Sequence, residues 1–139
     1  MIVQKSISYS TSGRGSLEIT RDINQLVSES GIRQGICNIF NLHTSAALML
    51  CENADPDVRR DLETIMERLA PDSDPAYIHT TEGPDDMAAH ARTILTDSSL
   101  SLPVDQGRCI LGTWQGIYLW EHRTRPQQRR LIVTIYGEQ

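Results

Sequence analysis

The alternation of apolar and polar positions predicts strands at both ends of the chain. Six segments have the alternation or the β-favouring composition of strands. They are residues 2–9, 35–42, 46–51, 99–104, 108–122 and 129–137. Apart from one short segment near residue 20, apolar residues at helical spacing occur only between the third and the fourth of these segments. Strands, then helices, then strands again in one small chain predict an α+β fold with a largely antiparallel sheet.

Three segments have apolar residues at helical spacing. They run between Thr20 and Gly31, from Pro56 to Leu69, and from Pro84 to about Leu95. The second has the clearest start, because Asp55 suits the N-cap position and Pro56 the first helical position. In the third, a stripe of residues predicts the side that faces the sheet. It comprises Met87, His90, Ala91, Ile94 and Leu95.

Length and charge narrow the class of protein. With 139 residues, the chain predicts a single domain, residues 1–139, that buries a core without disulfides or metal staples. A net charge of −5 argues against nucleic-acid binding through phosphate neutralisation. Residues 1–5 show no signal-peptide pattern, and no apolar run reaches the roughly 18 residues that span a bilayer. We therefore expect a cytoplasmic protein without a membrane partner. Three cysteines without paired spacing predict reduced, buried thiols: Cys37, Cys51 and Cys109.

Three of the four histidines are candidate metal ligands. His43 ends a predicted strand, His79 lies in the polar segment 71–83, and His90 lies on the third helix. Three imidazoles from separate elements suit a tetrahedral zinc site with one open position. Neither HxxxH nor HxH is present, however, and a buried histidine is more often hydrogen-bonded to the backbone. Spacing alone leaves both interpretations open.

The fourth histidine belongs to an aromatic face. On the strand 108–122, the pleat places Trp114, Tyr118, Trp120 and His122 on one side. We interpret this face as core or as a subunit interface, in preference to a surface that stacks on a ligand.

Some polar residues are left unexplained by secondary structure. Helix capping accounts for Asp55 and Asp57 but not for Glu52, and Asn53 beside it is equally free to bind a ligand. Arginines crowd near the C-terminus, at positions 123, 125, 129 and 130. They form either a solvated hairpin or a fork that holds a phosphate.

Several motifs together resemble the YjbQ-like family. They are HTSA at 43–46, ENADPDVRRD at 52–61, YIH at 77–79, GPDDMAAH at 83–90, SLSLPVDQGR at 99–108, LGTWQGIYLWEHR at 111–123, and RRLIVTIYGE at 129–138. The resemblance implies a compact α+β subunit with a bent sheet, assembled as a homotrimer. It implies a metal pocket at His43, His79 and His90, and a secondary thiamine-phosphate synthase activity. That activity joins a pyrimidine pyrophosphate to a thiazole phosphate. Arg129 and Arg130 fit the family pattern, whereas a phosphate role for Arg123 and Arg125 does not follow from it.

Three hypotheses result. The first is a metal-dependent enzyme that acts on a small phosphorylated or heterocyclic substrate. It has zinc or, as the alternative, magnesium on the three histidines, and its native reaction is better suited to metal-assisted hydrolysis than to thiamine-phosphate synthesis. Glu52 and Asn53 would be its catalytic residues, and Gln115, Arg129 and Arg130 would contact substrate. The second is a trimer that binds a metal or metabolite without turnover, and the third is a purely structural trimer.

Overall fold

The computed structural model describes residues 1–139 and contains eight strands and three helices. In chain order they are β1 Ile2–Ser10, β2 Gly15–Glu18, α1 Thr20–Ser30, β3 Gln34–Asn41, β4 Ala46–Glu52, α2 Pro56–Leu69, α3 Asp86–Leu95, β5 Ser99–Asp105, β6 Arg108–Cys109, β7 Gln115–Glu121 and β8 Gln128–Glu138. All neighbouring strands pair antiparallel. The predicted α+β class, with three helices in a single domain, is confirmed.

The strands form two sheets that share one core. The larger sheet has the order β1-β8-β3-β5-β6, and the smaller has the order β2-β7-β4. A cluster of 17 buried apolar residues takes members from both sheets and from α1, among them Ile39, Leu48 and Ile23. The outer face of the larger sheet carries no helix, whereas the second face of the smaller sheet is covered by α2.

Helix α2 begins where its sequence predicts. The Asp55 side chain accepts a hydrogen bond from the Asp57 N–H at 2.9 Å, and Pro56 occupies the first turn. Helix α1 ends at Gly31, whose φ of 75° is the left-handed conformation that glycine adopts without strain. Strand β2 was not predicted, because four residues beside a glycine-rich turn give too short a pattern.

The predicted buried side of α3 is wrong. The helix begins at Asp86, not Pro84, and it buries Ala88, Ala89, Arg92 and Thr93. Ile94 and Leu95, which were expected to face the sheet, are 83% and 57% exposed. Two alanines allow close packing against β4, and Arg92 is tolerated inside because the Ala70 carbonyl and Glu63 accept its N–H groups.

The aromatic face of β7 is largely core. Tyr118 and Trp120 are buried with Met49 and Met66 beneath α2, as the core interpretation predicts. Trp114 departs from it, because the strand begins only at Gln115 and Trp114 is 62% exposed. The predicted strand 108–122 is broken there, where the Gln115 side-chain oxygen accepts the Gly112 N–H at 2.8 Å.

All three cysteines are free, and Cys37 and Cys109 are buried whereas Cys51 is partly exposed. No helix has both the length and the apolarity needed to cross a bilayer.

His122 is a buried imidazole without hydrogen-bond partners. It is fully buried, its ring lies 5.1 Å from that of Trp120, and neither ring nitrogen has a partner. Burial, together with the nearby charge of Arg92, lowers the pKa of His122 from 6.5 to about 3. In the unfolded chain His122 therefore binds a proton below pH 6.5, whereas in the folded chain it binds one only below about pH 3.

We expect His122→Phe to flatten the dependence of stability on pH. In the native chain the neutral imidazole makes the free energy of unfolding fall as pH drops from 6.5 towards 3, by up to about 1.4 kcal/mol per pH unit. Phenylalanine keeps the ring against Trp120 and carries no titrating nitrogen. Urea unfolding of both proteins at pH 7, 6 and 5 measures the difference. Parallel pH profiles would contradict the assignment.

Candidate metal centre

His79, Asp86 and His90 form a compact cluster at the start of α3. Oδ2 of Asp86 lies 2.8 Å from Nε2 of His79 and 3.0 Å from Nε2 of His90. Within this trio, one candidate ligand atom from each residue lies within 4.8 Å of the others. The side chain of Asp86 is 6% exposed, whereas those of His79 and His90 are 43% and 31% exposed. A buried carboxylate therefore lies beneath two accessible imidazoles.

Helix α3 supplies two members of the cluster. Asp86 and His90 are four residues apart, and residues at this spacing are neighbours on one side of a helix. Ala88 and Ala89 hold the helix against the smaller sheet, so both side chains project from a packed element.

The segment 71–83 carries His79 back to the helix. Ser73 N–H donates to the Pro84 carbonyl at 3.0 Å, and Asp74 accepts from the Ala76 N–H at 2.9 Å. Asp72 receives two hydrogen bonds from the Arg14 guanidinium, at 2.9 and 2.8 Å. These contacts fix a segment that has no helix or strand of its own.

The backbone of Thr44 fixes the orientation of His90. Nδ1 of His90 lies 3.0 Å from the Thr44 carbonyl oxygen, which can only accept a hydrogen bond. Nδ1 therefore carries the proton, and Nε2 is directed at Asp86. A carbonyl partner on one imidazole nitrogen is the usual way in which proteins orient the other nitrogen towards a metal.

Arg123 holds the two aspartates at the start of α3. Its Nε donates to Asp85 Oδ2 and its Nη1 to Asp86 Oδ1, both at 2.9 Å, while Nη2 donates to the Glu82 carbonyl. Burial alone would raise the pKa of each carboxyl. For Asp85, hydrogen bonds from Arg123 and the Thr124 N–H outweigh burial and hold the pKa far below its usual range.

The same balance applies to Asp86. Burial opposes ionisation, but the His79 hydrogen bond and the charges of His90 and Arg123 lower the pKa of the carboxyl. Two carboxylates beside one guanidinium leave one negative charge under the histidines, and that surplus favours a cation.

His43 lies near this cluster but outside it. Its loop is held by Asn41, whose amide nitrogen donates to the His43 and Ala46 carbonyls at 3.1 and 2.6 Å. Nε2 of His43 accepts the Arg130 backbone N–H at 2.8 Å. The structure thus brings His79 and His90 together as expected and has Asp86, rather than His43, as the third donor. A lone pair that accepts an amide proton is not free for a metal.

Glu52, Asn53 and Gln115 lie together at the other end of the smaller sheet. Glu52 pairs with Gln115 across β4 and β7, and the Asn53 N–H donates to the Trp114 carbonyl. Thr44, which contacts His90, lies just before β4, and Glu52 lies at the end of that strand. The length of β4 therefore separates Glu52 from Thr44 by roughly 20 Å or more. Within one chain these residues do not reach the histidines.

The Glu52 carboxylate also has a structural role that was not foreseen. Its Oε2 accepts the Ala54 and Asp55 N–H groups at 3.1 and 2.9 Å, which fixes the turn that enters α2. These two hydrogen bonds account for a carboxylate that helix capping alone did not explain.

Arg129 and Arg130 have different surroundings. Arg129 is 5% exposed and donates to both carboxylate oxygens of Glu121 and to the carbonyl and hydroxyl of Ser45. Arg130 is exposed, and its backbone rather than its guanidinium contacts His43. Arg123 and Arg125 also differ. Each nitrogen of the Arg123 guanidinium donates a hydrogen bond, to Asp85, Asp86 and the Glu82 carbonyl, whereas Arg125 is exposed.

Sequence reasoning missed Asp86 as a ligand. Asp86 lies in the first turn of the helix predicted from Pro84, where an acidic residue has a sufficient explanation. Although HxxxH and HxH are absent, residues 86–90 have the spacing DxxxH, which places two possible ligands on one side of a helix. That spacing was the available signal.

Comparison with known proteins supports one family. A family profile described as "UPF0047 protein YjbQ-like" matches residues 5–138. The chain belongs to the YjbQ-like UPF0047 family. It is 46% identical over 135 residues to UPF0047 protein sll1880 of Synechocystis, covering 97% of this chain and 92% of that protein. It is 43% identical to UPF0047 protein YjbQ of Escherichia coli O157:H7, covering 99% and 100%.

Solved structures of similar proteins have the same fold. The conserved hypothetical protein TT1486 of Thermus thermophilus superposes with a TM-score of 0.85 at 32% identity, covering 95% of this chain and 99% of that one. A Clostridium acetobutylicum protein described as an uncharacterised member of the yjbq/upf0047 family gives 0.83 at 35% identity, covering 94% and 99%. These likenesses establish family and fold.

We expect Arg129→Ala and Arg130→Ala to differ in stability. Loss of Arg129 leaves Glu121 charged and buried without its partner, which costs about 3–5 kcal/mol. Arg130 is exposed, and its truncation keeps the backbone N–H, so we expect a change within about 0.5 kcal/mol. Urea unfolding of the two variants gives both values. Equal stability of the two would show that Arg129 is not needed for the core.

Proposed function

We propose that the chain is a metal-dependent enzyme that holds a divalent ion on His79, Asp86 and His90. Two imidazoles and one carboxylate, with a remaining position open to solvent, are a donor set that catalytic zinc sites use. Magnesium is less suitable, because it prefers oxygen ligands throughout. Zinc is therefore the proposed ion.

The contact between His90 and Asp86 carries the proposal. The Thr44 carbonyl takes the Nδ1 proton of His90, and Nε2 still lies 3.0 Å from a carboxylate oxygen. A lone pair facing a carboxylate oxygen would be repulsive. The contact is stable only if a proton or a metal ion lies between the two atoms, and His79 approaches the same oxygen.

The residues around the three donors have separate tasks. Thr44 directs Nε2 of His90 towards the site, and Arg123 holds the second oxygen of Asp86. An ion bound there would act as a Lewis acid on a phosphoryl or carbonyl oxygen. The substrate in this proposal is a small phosphorylated or heterocyclic metabolite. Metal-assisted hydrolysis fits nitrogen donors better than pyrophosphate release does, so thiamine-phosphate synthesis would be a secondary activity.

A non-catalytic metal- or metabolite-binding protein is the second candidate. It is favoured by the position of Glu52, whose carboxylate is engaged at the entry to α2 and is separated from the histidines by the length of β4. Glu52, which would be the general base of the predicted catalytic pair, therefore does not reach the centre within one chain, and neither does its polar neighbour Asn53.

Exposed apolar side chains beside the centre favour self-association. Ile78 is 98% exposed next to His79, and Ile94 is 83% exposed one turn after His90. Large exposed apolar side chains that cluster near one site are typical of interaction surfaces. We infer that this surface contacts other copies of the chain, in the homotrimer that the family resemblance implies.

We expect about one zinc per chain after purification in zinc-replete medium, and a weaker site in Asp86→Asn and His90→Ala. Affinity should fall more than about 100-fold, since even partners outside the ligand set change it about 10- to 100-fold. Elemental analysis and competition with a chelator measure both quantities. Light scattering on the same samples gives the number of subunits.

Asp85→Asn is the matched control for this experiment. Asp85 also pairs with Arg123, but its carboxylate meets Arg123 and Thr124 rather than the histidines. It should retain stoichiometric zinc, with a smaller loss of affinity than Asp86→Asn because it removes a nearby negative charge but no ligand, and His43→Ala should retain zinc as well. Absence of stoichiometric metal in the native chain, or equal zinc in Asp86→Asn, would end the proposal.

We expect turnover of a small phosphate ester to require the metal. Chelation should abolish release of phosphate, and added zinc should restore it in the native chain but not in Asp86→Asn. A parallel assay with pyrimidine pyrophosphate and thiazole phosphate measures the secondary activity. Tight zinc binding without turnover in either assay would favour the binding protein over the enzyme.

A further inference from the structure

A cavity of about 470 Å³ lies between His43 and His90. Besides these histidines it is lined by Thr44, Thr93, Ile94, Thr96 and Ser98. Its volume is within the range of small-molecule sites, about 300–1,000 Å³. Since His90 belongs to the proposed metal centre, the cavity adjoins that centre on one side and meets His43 on the other.

The protonation of His43 is fixed by the backbone. Arg130 N–H is always a donor, so Nε2 of His43, 2.8 Å away, must present a lone pair. A neutral imidazole then carries its only proton on Nδ1. Nδ1 has no partner within the chain and is not among the buried unpartnered atoms, so it is open to solvent. His43 therefore offers one N–H donor of fixed identity.

The surroundings keep His43 neutral. Burial lowers the pKa of His43 most, and the charge of Arg129 lowers it further. Glu121 opposes this shift, and Arg130 adds a smaller lowering effect on the pKa. At neutral pH the ring is an N–H donor without charge of its own. Arg129 is paired with Glu121, and only the backbone of Arg130 contacts His43. A fixed N–H donor across the cavity from the proposed cation favours a negatively charged oxygen.

Thr93 on α3 and Thr96 just after its end favour hydrogen-bond donors on a ligand. Thr93 Oγ1 donates to the Ala89 carbonyl at 2.9 Å, and Thr96 Oγ1 donates to the Arg92 carbonyl at 2.8 Å. With their protons used, the two hydroxyls offer lone pairs. They suit a hydroxyl or amine on the ligand.

We propose that this cavity binds the substrate, and that His43 is a binding residue that donates its Nδ1–H to a substrate oxyanion. The oxyanion is a phosphoryl or carboxylate group between His43 and the metal centre, and a hydroxyl or amine of the same molecule faces Thr93 and Thr96. His43 thus has a role other than metal ligand. The inference rests on the proposed function, because the proposed metal ion supplies the cation beside the oxyanion. The Nδ1–H donor of His43 does not depend on that ion.

The variants His43→Asn and His43→Gln distinguish the roles of the two ring nitrogens, because each keeps a polar group at only one of the two positions. The amide nitrogen of asparagine takes the place of Nδ1, whereas the glutamine side chain reaches the place of Nε2 and can accept the Arg130 N–H. The probes are inorganic phosphate and acetate, titrated by calorimetry into the zinc-loaded and zinc-free full chain. Zinc content and the urea midpoint are measured for each variant.

We expect His43→Gln to bind the preferred oxyanion at least about 10-fold more weakly, as is typical for loss of a hydrogen bond to a charged group. His43→Asn should remain within about 3-fold of the native chain, although it loses the Arg130 contact. Preference for phosphate over acetate, or the reverse, identifies the oxyanion. Both variants should retain zinc.

The possible failures are distinguishable. If His43→Gln binds both anions as the native chain does, or neither anion binds the native chain, the inference is overturned. Loss of zinc from both variants also overturns it, since His43 would then be a ligand. If the native chain holds no zinc but the two variants still differ as expected in phosphate binding, the oxyanion site stands and the proposed metal function fails.

Discussion

The two oxygens of Asp86 serve three neighbours, namely two imidazoles and the guanidinium of Arg123. A buried carboxylate needs such partners, because an ionised group without them is strongly disfavoured away from water. Arg123 takes one oxygen and leaves the other to the histidines. The start of α3, the path of segment 71–83 and the loop after β3 all converge on this one side chain.

The sequence predicted where strands and helices lie better than it predicted which side of a helix is buried. The strands and α2 could be located because apolar alternation and the capping residues Asp55 and Pro56 act locally. The buried side of α3 could not, because it depends on what packs against it. Ile94 and Leu95 are more apolar than Ala88 and Ala89, but the alanines fit against β4. A fully buried arginine, Arg92, gives no apolar signal at all.

The candidate site was predicted in part for a similar reason. His79 and His90 were identified as chemically suited to a metal, and the fold brings them together. Asp86 had an adequate local explanation at a helix start, which concealed its second role. For Glu52 the opposite holds. Helix capping does not explain its carboxylate, but in the structure that carboxylate accepts the backbone N–H groups of Ala54 and Asp55. Helix periodicity and residue type cannot reveal contacts made through the main chain.

Two of the contacts that set the imidazole protons come from backbone atoms, the Thr44 carbonyl for His90 and the Arg130 N–H for His43. Side-chain replacement at positions 44 and 130 leaves both atoms in place. An alanine scan would therefore pass over two determinants of proton placement in this pocket. They would be exposed only by a change to the main chain itself, such as Arg130→Pro, which removes the N–H, or a shift in the register of β8.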